Sequence, residues 1–356
     1  MQEFELRIDV TEAAGLGEAA HIAVTVTLPD PAHMPKVPFV CFAKPGGGYS
    51  RGYYTHDLPG PAKGAQASWH AQRGWIFISV DHLGVGASSL HPGKSLDFVV
   101  LARAAHAAEA QILAQLAEGT LAEGFPAIRD MVKLGIGQSM GGCMTVVQQG
   151  RFHDYDGVGV LGYSVIHTSP LHREDPTISP WFGRDTLLSE PLIILNPDAF
   201  AKGAAAGGPG QGDRMMRNFH YDDVSDEIAI ADLAHFNRRE LFDVDAHAGF
   251  VPAPWHSFSF PVPVAPATLT PGIIAGEAAA IRVPVLSAFG ERDVSREPKD
   301  EPKAYFSSPS IDVFVCPRMG HMHNFASTRE LFWERIDTWA EWVRAARAAN
   351  LAPRYR

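Results

Sequence analysis

Apolar and polar positions alternate through the first 45 residues, in FELRIDV, HIAVTVTLP and KVPFVCFA, with β-branched side chains filling many apolar slots. A period of two predicts three strands. SWHAQRG predicts a short helix, and the WIFISVD that follows is apolar almost throughout. Such a run suits a central parallel strand covered by helices on both faces. The period then lengthens in LDFVVLARAAHAAEAQILAQLAEG, where alanine and leucine recur at helical intervals and Gly119 offers a C-cap. MVKLGIG predicts a strand, MGGCMTVVQQ a helix ending near Gly150, and DGVGVLGYSV a further strand. Strand alternating with helix predicts an α/β architecture with a mostly parallel sheet.

The pattern breaks after Ser164. Residues 165–280 hold proline- and glycine-rich pieces, KGAAAGGPGQG and VPAPWHSFSFPVPVAPATLTPG, around one helical pattern, VSDEIAIADLAHFNRRELF. Regularity returns with two strands, IRVPVLSAFGERD and SIDVFVCPRMG, and an amphipathic helix, TRELFWERIDTWAEWVRAA. Ser327 and Glu330 are spaced as a capping box at the start of that helix. The expected organisation is one core domain, 1–164 plus 281–356, interrupted by a cap insert at 165–280 over the carboxyl edge of the sheet.

Composition narrows the class. The 356 residues are 46% hydrophobic and 20% charged, enough apolar material for a large folded core. A net charge of −10, with the basic residues scattered, argues against a nucleic-acid partner or an anionic membrane surface. MQEFELRIDVTEAA lacks the basic start and apolar core of a signal peptide, and no apolar stretch approaches the ~20 residues of a spanning helix. Cys41, Cys143 and Cys316 are odd in number and each sits in an apolar segment, so they read as reduced, buried residues. A cytoplasmic protein acting on a small molecule is expected; a homodimer stays open.

The chemistry centres on LGIGQSMGG at 134–142. A serine hydroxyl needs a base to take its proton and a third group to orient that base. A strand feeding a tight turn into a helix exposes the hydroxyl above the sheet, and the helix's close approach demands small residues beside it. Gly137, Gly141 and Gly142 surround Ser139 accordingly. GxSxG alone is a weak signal, so the partners matter. AKPGGGYSRGYY follows the third strand and offers backbone N–H donors for an oxyanion. Met140, after the nucleophile, is one expected donor; among Gly46, Gly47 and Gly48, the last two are favoured. The absence of GK[ST] and of GxGxxG spacing counts against a phosphate loop.

The orienting carboxylate is expected at Asp293, just past the strand VPVLSAF, with Glu291 the competing acid. The base is expected in CPRMGHMHNF, at His321 in preference to His323, giving the order Ser, Asp, His. An HxH pair also suits a metal, but no third ligand motif accompanies it. Nothing calls for a metal or another cofactor. Tyr49, Tyr53 and Trp255 are candidates to line a substrate pocket. So are the insert's other aromatics, Trp181, Phe182, Phe219, Tyr221, Phe250 and Phe258, although these could equally pack the insert's own core. Asp81 and His82 read as a turn more than as substrate contacts. Cys143 reads as packing, and no spacing nominates His220, His235, His247 or His256.

PGGGY, DHLGVGASS, GQSMGG, GERD and GHMHNF, in that order, resemble the α/β-hydrolase superfamily, and the resemblance spans residues 1 to about 345. It implies an eight-stranded, mostly parallel sheet with a cap between strands six and seven, on a serine esterase or lipase-like pattern. Pro45 departs from it, standing where histidine often opens the oxyanion loop. Hydrolysis of a carboxylic ester or lactone of a small to medium apolar substrate is the leading expectation. Carbon–carbon bond hydrolysis by the same triad, or ligand binding without catalysis, are the alternatives.

Overall fold

The computed structural model describes residues 1–169, 183–184, 218–233, 253–257, 259 and 261–350. Eight strands form one sheet: β1 (Gln2–Asp9), β2 (His21–Leu28), β3 (Phe39–Lys44), β4 (Ile76–Val80), β5 (Val132–Gln138), β6 (Gly157–Leu161), β7 (Val285–Gly290) and β8 (Ile311–Cys316). Their spatial order is β1-β2-β4-β3-β5-β6-β7-β8. β2 runs antiparallel to both neighbours, while β4, β3 and β5 to β8 run parallel. The helices used below are α1 (Gln66–Ala71), α2 (Phe98–Glu118), α3 (Met140–Phe152), α4 (Asp226–Leu233), α5 (Ala275–Ala280) and α6 (Arg329–Ala348).

The apolar run in β4 has a direct cause. Ile76 and Ile78 join Val40 and Phe42 against Leu101, Ile112 and Val146 of α2 and α3. Phe77 joins Cys41 and Ile136 against Ile336 and Trp339 of α6 on the opposite face. Both faces are covered, so both sets of alternating side chains are apolar apart from the buried Ser79. All three cysteines are buried and free. Among the described residues no helix is long and apolar enough to cross a membrane.

Helix ends show where local signals held. α2 starts on Asp97, whose carboxylate accepts the N–H groups of Val99 and Val100 at 2.8 Å. It stops at Gly119, which takes a left-handed φ of 75°. α3 runs past Gly150 and ends instead at His153, with φ 57°. Gly150 serves packing: a Cβ there would lie 2.5 Å from the Glu277 carbonyl of α5. The expected capping box on α6 does not form, because Ser327 Oγ is taken by Asp223 from the insert. Thr328 precedes the helix, with its hydroxyl turned back to Pro317 and Arg318 carbonyls.

In the insert, α4 is the described part of the predicted helix. Trp181, Phe182, His235, His247, Phe250, Phe258 and the KGAAAGGPGQG segment lie outside the described residues. Val264, Ala267, Ile274 and Ala278 belong to the same apolar cluster as α2 and α3, so the end of the 165–280 stretch packs on the sheet itself.

Where the chain leaves β6, Glu301 fastens it. Its buried carboxylate accepts Ser164 Oγ and, at 3.1 Å, the Val165 N–H. Burial pushes the Glu301 carboxyl up to about 7, against those hydrogen bonds. A folded-state value above the unfolded one means the contribution is full below about pH 4.5 and is lost as pH rises through about 7. Glu301→Gln keeps the shape without the charge. Melts are expected to show near-equal stability at pH 5 and a gain of up to roughly 3 kcal/mol for the variant at pH 9. A variant less stable than wild type at pH 9 would contradict the charge account.

Candidate active site

β5 meets α3 at Ser139, which holds φ 53° and ψ −120°. An L-residue pays about 1–3 kcal/mol for such a backbone, which persists only where surroundings enforce it. Here the Ser139 N–H donates to the Leu161 carbonyl at 2.7 Å. Two glycines let the chain fold this tightly. A Cβ on Gly137 would sit 2.2 Å from the Gly141 carbonyl carbon, and one on Gly141 2.1 Å from the Lys44 carbonyl oxygen. The flanking glycines are therefore required by close backbone approach.

Asp293 lies three residues beyond β7 and is buried. Its Oδ1 accepts His321 Nδ1 at 2.6 Å and the Val294 N–H at 2.7 Å. Its Oδ2 accepts His323 Nε2 at 2.9 Å and the Gly290 N–H at 2.8 Å. Burial alone would raise this carboxyl, but the facing imidazoles outweigh it and hold Asp293 well below the usual carboxylate range. Glu291, the competitor, bonds instead to Tyr221 Oη and the Arg318 N–H.

The two histidines thus share one carboxylate through different nitrogens. His321 spends Nδ1 on Asp293 and keeps Nε2 toward the elbow. There the Gln138 amide nitrogen lies 3.2 Å from Nε2 and donates to the His321 carbonyl at 3.0 Å. An N–H donor facing Nε2 assigns that nitrogen the acceptor role, the tautomer a general base requires. His323 spends Nε2 on Asp293, and its buried Nδ1 has no partner among the described residues. Burial pushes the His323 imidazole down despite the carboxylate beside it. Of the two, His321 turns its second ring nitrogen toward Gln138, next to Ser139.

Ser139 is brought to the same rim. Gly162, next to Leu161, packs on both imidazoles, a Cβ there lying 3.0 Å from His321 Nδ1. Among the described residues no hydrogen bond links Ser139 Oγ to His321 Nε2; Gln138 stands at that nitrogen. Catalytic hydrogen bonds are often loose before substrate binds.

The glycine loop lies over Ser139. A Cβ on Gly46 would be 3.1 Å from Ser139 Cβ and 2.2 Å from Gln138 Oε1. Gly48 takes φ 80°, and its carbonyl accepts the Ser257 N–H at 2.8 Å. Met140 opens α3, so its N–H has no partner within the helix. Pro45 is braced by His82, whose Nε2 lies 3.0 Å from the Pro45 carbonyl. Burial pushes that imidazole down to about 4, so it donates as a neutral N–H. Asp81 closes the adjoining turn, accepting the Arg51 and Ala87 N–H groups and the Arg51 guanidinium.

Tyr49 and Tyr53 are buried with rings edge to face at 5.6 Å. Their hydroxyls are engaged, Tyr49 Oη donating to Asp232 at 2.7 Å and Tyr53 Oη accepting the Asn324 N–H at 3.1 Å. Trp255 stands edge-on to Phe325 at 6.3 Å. Phe219 of the insert meets the His321 ring edge-on at 4.9 Å. Among the described residues no group of three or more His, Cys, Asp or Glu is disposed to hold a metal ion.

Spacing did not point to several of these residues. Gln138 lay inside the motif, but its contact with His321 depends on a loop 183 residues away. Asp232, His220 and His256 have no sequence pattern linking them, yet they meet beside the glycine loop.

No protein-family model matches the chain, and no curated protein matches it. Its structure is similar to proline iminopeptidase from Mycobacterium smegmatis, with a TM-score of 0.57 and 17% identity over 96% of this chain and 99% of that chain. It is similar to a loop variant of haloalkane dehalogenase from Bradyrhizobium elkanii, at 0.57 and 15% over 98% and 100% of the two chains. A thermophilic esterase from Thermogutta terrifontis gives 0.50 and 15% over 95% and 99%. Identities this low speak to architecture and leave the substrate unassigned. With its strand order, its strand–serine–helix turn and these neighbours, the chain has the α/β-hydrolase fold.

Proposed function

We propose that the protein is a serine hydrolase that cleaves a carboxylic ester or lactone of a small to medium apolar substrate through an acyl-enzyme. The observation that carries this is the Asp293–His321 pair, which leaves His321 Nε2 as an acceptor beside the residue preceding Ser139. Ser139 Oγ attacks the carbonyl carbon while its proton passes to His321 Nε2, and Asp293 stabilises the imidazolium. The carbonyl electron pair moves onto oxygen, which the Met140 N–H and the Gly46–Gly48 loop receive. Collapse of this intermediate breaks the bond to the alcohol oxygen, which takes the proton back from His321. Water repeats the sequence to release the acid.

Ser139 separates this reading from relatives on the fold that use aspartate as nucleophile. The apolar side of the substrate preference is supported by Tyr49, Tyr53, Trp255 and Phe219 beside the site. A panel of p-nitrophenyl esters of increasing acyl length, with lactones alongside, tests the proposal. Turnover that disappears in Ser139→Ala is expected. Cleavage of a carbon–carbon bond beside a ketone, with every ester and lactone inert, would contradict it, as would ligand binding without turnover.

A further inference from the structure

Two described pieces of the insert grip the two loops that flank Ser139. The segment 253–257 pairs with the glycine loop: the Ser50 N–H donates to the Trp255 carbonyl and the Ser257 N–H to the Gly48 carbonyl, both at 2.8 Å, around a Tyr49–His256 bridge. Ser50 Oγ adds a bond to the Pro254 carbonyl at 2.8 Å. The segment 218–220 pairs with the histidine loop, the Asn218 carbonyl accepting the His321 N–H at 2.6 Å and the Phe219 carbonyl the Met322 N–H at 2.8 Å.

One carboxylate joins these grips. Asp232, at the buried end of α4, accepts His256 Nε2 on Oδ1 at 2.9 Å. On Oδ2 it accepts His220 Nε2 at 2.9 Å and Tyr49 Oη at 2.7 Å. His256 belongs to the glycine-loop grip, His220 to the histidine-loop grip, and Tyr49 to the glycine loop itself. Burial would raise the Asp232 carboxyl, but the two imidazole bonds outweigh it and keep it ionised. A carboxylate is needed here: an amide offers one accepting oxygen where, among the described residues alone, three donors converge.

Building on the serine-hydrolase reading above, we propose that Asp232 is a positioning residue that holds the glycine loop and the histidine loop in register across Ser139, so that the insert sets oxyanion stabilisation. The described partners of Asp232 are Tyr49, His220 and His256, not Ser139, Asp293 or His321. Its effect reaches the chemistry through where the loop N–H groups point, and misplacement by a fraction of an ångström is costly at such sites.

The test compares wild type, Asp232→Asn and Tyr49→Phe in the full chain. It uses p-nitrophenyl acetate turnover and inhibition by an alkyl trifluoromethyl ketone. That ketone adds Ser139 Oγ to its carbonyl carbon, sends the hydroxyl proton to His321 and places the resulting oxyanion in the donor loop. Asp232→Asn is expected to lower kcat about 10- to 100-fold with KM within about two-fold, and to weaken the ketone by a matching factor. Tyr49→Phe, which removes one of the three described donors, is expected to move both quantities the same way by about 3- to 10-fold. If Asp232→Asn does not fold, Tyr49→Phe decides. Variants that fold and keep ketone affinity within two-fold of wild type overturn the positioning role while the hydrolase reading stands. A wild-type protein inert to both ester and ketone overturns that reading itself, and the inference with it.

Discussion

Ser139→Ala is expected to lower kcat on a turned-over ester by about 10⁴- to 10⁶-fold while KM stays within a few-fold. The size follows from the proposed mechanism: without the hydroxyl no acyl-enzyme would form, and only binding and the oxyanion donors would be left to assist direct attack by water. The fold is expected to survive, because the Ser139 N–H bond to Leu161 is made by backbone and the side chain holds no cap. Ser139→Gly separates chemistry from strain. Glycine accepts φ 53° without the penalty that serine bears, so this variant is expected to be equally inactive yet more stable by about 1 kcal/mol. Thermal melts beside turnover assays check both parts. An alanine variant with near wild-type kcat would rule out the covalent route.

Asp293→Asn is expected to cost about 10⁴-fold in kcat. The carboxylate takes two imidazole nitrogens and two backbone N–H groups, and an amide has one oxygen for these four donors. The amide N–H₂ turned toward His321 would favour the tautomer with its proton on Nε2, which cannot take a proton from Ser139. Stability is expected to fall by about 1–3 kcal/mol at neutral pH through the unsatisfied donors. The acid side gives a second check. Asp293 has a folded pKa below its unfolded value, so its contribution is present above about pH 4 and is lost as pH falls further. The gap between wild type and Asp293→Asn in urea unfolding should therefore narrow on acidification. A gap that widens would contradict the assignment of an ionised Asp293.

The sheet was legible in the sequence because its strands obey local rules. β4 is covered on both faces and reads as an apolar run broken only by Ser79, while β1 has one exposed face and alternates. Gly119 ended its helix as expected because a left-handed C-cap is a local event. Gly150 and Ser327 misled for the opposite reason. Their roles are set by Glu277 and Asp223, partners more than 100 residues away, and no local signal encodes such contacts. The site divides in the same way. Ser139, Asp293 and His321, the proposed triad, each follow a strand end, and strand ends converge in a parallel sheet, so candidates could be nominated in order. His323 was weighed as a rival base, but its place on the second oxygen of Asp293 depends on the loop's path through space. Asp232 stayed hidden, because its partners come from three separate segments and share only a location.

The most direct test of the account is covalent labelling. Wild-type protein treated with an alkyl fluorophosphonate should gain one phosphonyl group, read by intact mass and mapped by peptide sequencing to Ser139. His321→Ala should slow that labelling by several orders of magnitude, and Ser139→Ala should abolish it. Folded wild-type protein that takes no label, or takes it at a residue other than Ser139, would contradict the proposed nucleophile.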